Sequence, residues 1–204
     1  MNRRSLAAAL AAASFVVALP ACAPLIVGGA AVSTAMVATD RRSAGAIVED
    51  QTIETRVSYE LSQKLNAEGT HISTTSYEGR VLLSGEVPTE ALKEQAGRIA
   101  AAVVNVKSVY NELAVMPASS LGTRTNDTVI LSKVRAAFID NGEISTNTIK
   151  VVVDRGNVYL MGIVTEREAN AAATAAARVG GVASVVRLFQ VEPAAEIRRR
   201  MGQA

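Results

Sequence analysis

The sequence predicts an α+β protein made of two copies of one small domain, each a two-layer sandwich of two helices on a three-stranded mixed sheet. Three observations lead to this prediction. Glycines and apolar residues recur at a separation of 77 positions, as Gly79 and Gly156 do. Within each copy the hydrophobic period changes in the order helix, strand, strand, helix, strand. Three strands expose one apolar face that two helices can cover.

The first segment of each copy has apolar residues four positions apart, which predicts one buried stripe on a helix. These residues are Ile53, Val57, Leu61 and Leu65 in the first copy and Ile130, Val134 and Phe138 in the second. Asp127 precedes the second stripe and is predicted to be the N-cap of its helix.

Alternating apolar residues then predict two strands joined by a tight hairpin in each copy. The turns are Glu78-Gly79 and Arg155-Gly156, where glycine supplies the positive φ that such turns need. A glycine also lies inside each second strand, at positions 85 and 162. Glycine is unfavourable in a strand unless another group approaches closely. We expect Gly85 and Gly162 to admit a packed helix, with a ligand contact as the alternative.

The remaining elements complete the organisation of the chain. Alanine-rich helices are predicted at 89–101 and 166–179, and final strands at 106–115 and 182–191. The predicted segments are a signal peptide (1–21), a modified cysteine with its tether (22–48), domain 1 (49–116), a linker (117–125), domain 2 (126–192) and a basic tail (193–204). The tail contains Arg198, Arg199 and Arg200 and is expected to be a short helix or a frayed end.

The N-terminus predicts export and lipid anchoring. Arg3 and Arg4 precede an apolar run of about 14 residues, which suits a signal peptide better than a membrane span. The run ends at Cys22, the single cysteine of the chain, in the pattern that bacterial lipoproteins use for acylation. Because Ala23 rather than aspartate follows it, we expect the protein in the inner leaflet of the outer membrane, facing the periplasm. The alternative is an ordinary secretory signal with an accidental cysteine.

Charge and residue types argue against several function classes. The formal charge of +2 includes Arg3 and Arg4, and residues 1–21 contain no acid, so the processed chain is neutral. A neutral chain is a poor general binder of nucleic acid. His71 is the single histidine, and we find no metal, nucleophile or phosphate-binding pattern. We therefore expect no enzyme activity, no metal and no cofactor.

The repeated unit resembles the BON domain family. The hallmark stretches are Gly79–Gly85 and Gly156–Gly162, each followed by an acidic helix start and a Val-Xaa-Ser-Val motif. Additional stretches, Ala38–Ser43, Asn126–Thr128 and Leu160–Ala169, resemble outer-membrane lipoproteins with two BON domains. The resemblance implies a non-enzymatic protein that binds anionic phospholipid, such as phosphatidylglycerol, through the first helix of its second domain. It also implies support of outer-membrane integrity, with links to the β-barrel assembly machinery and to cell-division sites.

The resemblance places the lipid contact on the first helix of domain 2. Its exposed aromatic residue corresponds to Val129, which lacks the aromatic ring. The proposed phospholipid-binding residues are Val129, Lys133, Arg135 and Ala136. Copy one has more polar residues at the start of its helix and lacks the second cation. The alternative function is a protein-interaction scaffold that docks a partner through this patch or a strand edge.

Overall fold

The computed structural model of the chain describes residues 40–65 and 68–202. The predicted signal peptide, the lipidated Cys22 and the tether as far as residue 39 lie outside these residues. They are therefore still predictions.

Both copies of the repeat fold in the predicted order. Domain 1 contains α1 (Ala44–Lys64), β1 (His71–Tyr77), β2 (Arg80–Val87), α2 (Glu90–Ala101), β3 (Ser108–Asn111) and β4 (Ala114–Val115). Domain 2 contains α3 (Leu121–Asp140), β5 (Ile149–Asp154), β6 (Asn157–Val164), α4 (Glu166–Ala177) and β7 (Ser184–Val191), and α5 (Ala194–Arg200) follows it. The α+β prediction is confirmed, and the basic tail forms a short helix.

Each sheet is mixed, as predicted. The hairpin strands β1 and β2 pair antiparallel, while β3 and β4 pair parallel with β2. In domain 2, β6 pairs antiparallel with β5 and parallel with β7. Two helices cover one face of each sheet, and the apolar stripes of α1 and α3 are buried in the two cores, as their spacing predicts. Each domain therefore has its own hydrophobic core.

The first helix of each domain begins earlier than its apolar stripe suggests. Ser43 and Ser120 are the N-caps, and their side chains accept hydrogen bonds from the N–H groups of Ala46 and Thr123. The residues Ala44–Val48, expected in the tether, and Leu121–Thr125, expected in the linker, are thus helical. The two capping serines are themselves 77 positions apart.

The prediction that Asp127 is an N-cap is wrong. Asp127 lies inside α3, is buried, and accepts hydrogen bonds from the N–H groups of Arg155 (2.8 Å) and Gly156 (2.9 Å) in the hairpin turn. Asp50 holds the turn of domain 1 in the same way, through Glu78 and Gly79. Burial alone would raise the pKa of Asp50, but these bonds, with others from Ser76 and Arg42, lower it. In each domain an aspartate therefore joins the first helix to the hairpin.

The hairpin turns are as predicted, but the role expected of the inner glycines is wrong. Both central residues of each turn have positive φ, 54° and 75° at Glu78 and Gly79, as a tight hairpin requires. A side chain at Gly85 would put its Cβ 2.1 Å from the carbonyl oxygen of His71. At Gly162 the corresponding distance, to the carbonyl oxygen of Thr148, is 2.5 Å. The glycines admit the backbone of the neighbouring chain segment and not a packed helix.

The outer faces of the two sheets pack against each other. This contact buries Tyr77 and Leu82 of domain 1 against apolar residues of domain 2, namely Tyr159, Met161, Ile163 and Leu188, with Ile197 of α5. The Tyr77 hydroxyl donates to the carbonyl of Thr148 and accepts from the N–H of Ile163, at 3.4 Å each. Burial, then the charge of Asp40, raises the pKa of Tyr77 to about 12. The order of layers is helices, sheet, sheet, helices, so the two helix layers face opposite sides.

A short segment before α1 forms hydrogen bonds and ion pairs with both domains. Arg41 forms two hydrogen bonds with Glu168 (2.6 and 2.9 Å) and one with the carbonyl of Ile163 (2.7 Å) in domain 2. Arg42 pairs with Asp50 of domain 1 at 2.9 Å and lies over the Tyr77 ring. Both cores, the sheet–sheet contact and these ion pairs lie within residues 40–202, so we expect this region to fold without the residues before it.

Candidate membrane-binding surface

Helix α3 exposes apolar side chains on the side opposite the core of domain 2. Its buried residues are Asp127, Ile130, Val134 and Phe138. On the other side, the exposed fractions are 47% for Val129, 70% for Ile139 and 80% for Leu121. An exposed apolar row on one helix is a feature of surfaces that contact partners or membranes.

The four residues proposed from the sequence are all exposed, on two sides of this row. At about 100° per residue, Val129 and Ala136 lie within about 20° of each other around the helix. Lys133 lies about 40° beyond Val129, while Arg135 lies about 160° from Lys133. Ile139 falls between Arg135 and Ala136. The two cations therefore flank a strip of apolar and weakly polar residues.

Neither cation is neutralised by a neighbour. Lys133 and Arg135 form no ion pair with another residue in the described part of the chain, whereas Arg167 of the same domain pairs with Glu143 at 2.5 Å. The one acid among the exposed residues of α3 is Asp140, at its C-terminal end. Two unpaired cations beside apolar side chains form the arrangement that favours an anionic headgroup above acyl chains.

The hydroxyl groups of the strip are already hydrogen-bonded within the helix. Thr125, Thr128 and Ser132 donate to the backbone carbonyls four residues before them, at 2.9 to 3.0 Å. A hydroxyl whose donor is satisfied loses less when water is removed than an unpaired one. The strip can therefore approach a membrane interface at a low desolvation cost.

Helix α1 of domain 1 provides an internal comparison. It also exposes apolar residues, with exposed fractions of 63% for Val48 and 62% for Tyr59. Helix α1, however, has two basic and four acidic residues. Helix α3 has three basic and two acidic residues, and one of its two acids is the buried Asp127. Lys64 of α1 is moreover paired with Glu60 at 2.7 Å. Charge, rather than apolar exposure, distinguishes the helix of domain 2.

Leu121 is the surface residue that the sequence reasoning missed. It was assigned to the linker because the apolar stripe begins only at Ile130. The signal was the pair of capping serines, Ser43 and Ser120, which repeat with the same separation as the rest of the domain.

Residues 40–65 and 68–202 contain neither a membrane-spanning helix nor a cluster of metal-binding side chains. None of their helices is both long and apolar enough to cross a membrane. Nor do these residues contain a cluster of three or more His, Cys, Asp or Glu side chains arranged to hold a metal ion.

Comparison with known proteins identifies both repeats. The model of the BON domain matches residues 49–117 and 126–193. The chain is 37% identical over 174 residues to outer membrane lipoprotein DolP of Haemophilus influenzae, which covers 84% of this chain and 89% of that protein. It is 34% identical to a 21 kDa hemolysin of Actinobacillus pleuropneumoniae, over 74% of this chain and 78% of that protein.

A third relative extends the comparison to another genus. The osmotically-inducible protein Y of Escherichia coli is 31% identical, over 69% of this chain and 72% of that protein. The resemblance seen in the hairpin stretches is thereby confirmed over both repeats. The chain belongs to the BON domain family, with two BON domains in tandem.

Proposed function

We propose that this protein is a lipoprotein of the outer membrane that binds anionic phospholipid through α3 of its second BON domain. The observation that carries the proposal is the exposed strip of α3, in which Val129, Ala136 and Ile139 lie between the unpaired cations Lys133 and Arg135. The relative from Haemophilus influenzae is itself an outer membrane lipoprotein, and Cys22 would provide the acyl anchor. In this proposal the protein lies on the inner leaflet, faces the periplasm and supports outer-membrane integrity.

The layer order makes the two membrane contacts compatible. With α3 on the bilayer, the seam between the sheets lies about 20 Å above it, since packed layers are about 10 Å apart and a helix has a radius of about 5 Å. Arg41 and Arg42 bond both domains, so the chain enters the fold beside this seam. The 18 residues from Cys22 to Asp40 span at most about 60 Å. An anchored cysteine therefore leaves α3 free to reach the surface.

The same geometry assigns different roles to the two domains. The helix layer of domain 1 faces away from a bilayer that contacts α3. Domain 1 would then support domain 2 and present its own helices to the periplasm. Links to the β-barrel assembly machinery or to division-site proteins belong to this side of the proposal, as interactions with other proteins and not with lipid.

Introduced tryptophans test the proposal directly, because the chain contains none. Val129→Trp and Tyr59→Trp each place one indole on the exposed face of a first helix, in domain 2 and domain 1 respectively. With vesicles that contain phosphatidylglycerol, we expect a blue shift and quenching by brominated acyl chains for position 129 and neither for position 59. Equal responses at both positions, or none at position 129, would refute the assignment to α3.

A further inference from the structure

A second open surface of domain 2 lies at the edge of its sheet. In the described part of the chain, β7 has β6 as its single strand partner. The N–H of Glu192, directly after β7, donates to the carbonyl of Val164 on that side, at 2.9 Å. Because neighbouring residues of a strand direct their polar groups to opposite sides, the N–H and C=O groups of Val185, Arg187 and Phe189 face the open edge. An unpaired edge of this kind is a template for another strand.

The corresponding edge of domain 1 is interrupted. There the edge strand is divided into β3 and β4, which Glu112 and Leu113 separate. The side chain of Asn111 turns over α2 and donates to the carbonyl of Lys93 at 2.7 Å. A break and a covering side chain are common protections against added strands. Domain 2 has instead eight regular residues in β7.

A groove of about 610 Å³ runs between this open edge and α4. Small side chains line the groove. Helix α4 contributes Ala173, Thr174 and Ala177, and the chain before β7 contributes Val182 and Ala183. In domain 1, Asn111 occupies the equivalent space over Gly97, where an added Cβ would be 2.9 Å from its side-chain nitrogen. The groove thus exists in one copy of the repeat because Arg187 replaces this asparagine and turns away toward Asn170.

The charged groups at the groove favour an acidic occupant. Arg178 lines it, is exposed and has no ion pair among residues 40–65 and 68–202. Arg187 also lines it and is bonded to Asn170 (2.9 Å) and to Glu166 (3.2 Å). Glu166 is the one acid among these partners, and its carboxylate already accepts a hydrogen bond from Arg187. The groove itself therefore presents an excess of positive charge beside a row of free backbone groups.

We propose that β7 and α4 form a docking groove for an extended acidic segment of a partner protein, which adds to the sheet as a fourth strand of domain 2. Backbone bonds to Val185, Arg187 and Phe189 would hold the segment. Alternate side chains would enter the groove against Ala173 and Ala177, and an acidic side chain would pair with Arg178. The groove does not involve α3, so this partner and a membrane could bind together.

The test uses the full chain in non-ionic detergent and a fluorescein-labelled eight-residue peptide of alternating valine and aspartate. Fluorescence anisotropy measures binding, and the same peptide with lysine in place of aspartate is the control ligand. Val185→Pro removes one outward N–H near the start of the strand. Val109→Pro makes the same change at the equivalent residue of domain 1, and Val185→Ala shortens the side chain while keeping the N–H.

We expect the aspartate peptide to bind, and the lysine peptide to bind at least tenfold more weakly. Val185→Pro should weaken binding about fivefold, the effect of one hydrogen bond, whereas Val109→Pro and Val185→Ala should leave it nearly unchanged. Arg178→Glu should weaken it about tenfold, and Arg98→Glu, on α2 of domain 1, should not. The Arg178→Glu result stands even if Val185→Pro does not fold.

Three outcomes would overturn the proposal. The first is no binding of the aspartate peptide at millimolar concentration. The second is binding that is indifferent both to Arg178→Glu and to a correctly folded Val185→Pro variant. The third is that Arg178→Glu weakens binding to anionic vesicles as strongly as it weakens the peptide, which would make the groove part of the membrane surface.

Discussion

Reversal of the two cations of α3 should abolish selective binding to anionic membranes. The change is Lys133→Glu together with Arg135→Glu, both exposed and without an ion pair in the described part of the chain. A basic residue near an anionic bilayer contributes about 1 kcal/mol. Losing two such contributions and replacing them with repulsion of similar size amounts to about 4 kcal/mol. Since about 1.4 kcal/mol is a factor of ten, the Kd should rise on the order of a thousandfold.

The assay is co-sedimentation of residues 40–204 with vesicles of increasing phosphatidylglycerol content. At low ionic strength the difference between the native and variant proteins should be largest, and salt should reduce it. The matched control is Arg56→Glu, because Arg56 occupies on α1 the place that Lys133 occupies on α3 and is also exposed. A change below about threefold in the double variant, or an equal loss in Arg56→Glu, would refute the reasoning.

Other predictions follow from single residues. Val129→Glu should weaken vesicle binding about tenfold, since Val129 is half exposed and its burial contributes about 1 kcal/mol; binding that is unchanged in co-sedimentation would contradict this. Asp127→Asn should lower the melting temperature by about 4 to 8 °C, as it weakens two bonds to the hairpin turn, whereas Asp140→Asn at the exposed end of α3 should not. Because the pKa of Asp50 is lowered in the folded state, its stabilisation is present above its unfolded pKa of about 3.9 and is lost as the pH falls through the folded value. The melting-temperature difference between Asp50→Asn and the native protein should therefore be smaller at pH 3 than at pH 7; an equal difference at both would exclude this role. Tyr77→Phe should lower the melting temperature by only a few degrees, because its hydroxyl bonds are long while its ring remains buried.

The repeat made most of each domain predictable. A helix stripe, a hairpin with glycine at its turn and a parallel return strand each have a local signal, and duplication shows every signal twice. The contact between the two sheets also has a signal in the sequence, although the period of the repeat alone does not show it. Strand β6 is apolar in nearly every position from Val158 to Val164 rather than alternating, and such runs are typical of strands buried on both faces. All seven of these residues are buried.

Two features could not be read from local patterns because they depend on long-range contacts. Asp127 has the residue type and position of an N-cap, and only the approach of the hairpin turn shows that its carboxylate binds Arg155 and Gly156 instead. Likewise, a glycine in a strand indicates a close approach but not which atoms approach. The carbonyl oxygens beside Gly85 and Gly162 come from the adjacent hairpin segment, whose exact separation no sequence pattern specifies.

The exposure of the candidate surface was predictable, but its full extent was not. The family resemblance indicates Val129 and the helical period indicates Lys133, Arg135 and Ala136, and all four are exposed. The length of the strip depends on the true start of the helix, which adds the exposed Leu121. The separation of the two helix layers followed from the sheet–sheet contact.

Flotation of residues 40–204 with vesicles tests the central claim most directly. This part of the chain contains both cores but not Cys22, so any binding must come from the folded domains. Vesicles with phosphatidylglycerol are compared with purely zwitterionic vesicles at the same salt concentration. The account predicts flotation with the anionic vesicles and little or none with the zwitterionic ones. Absence of flotation with both would contradict it, because the acyl anchor would then be the only attachment to the membrane.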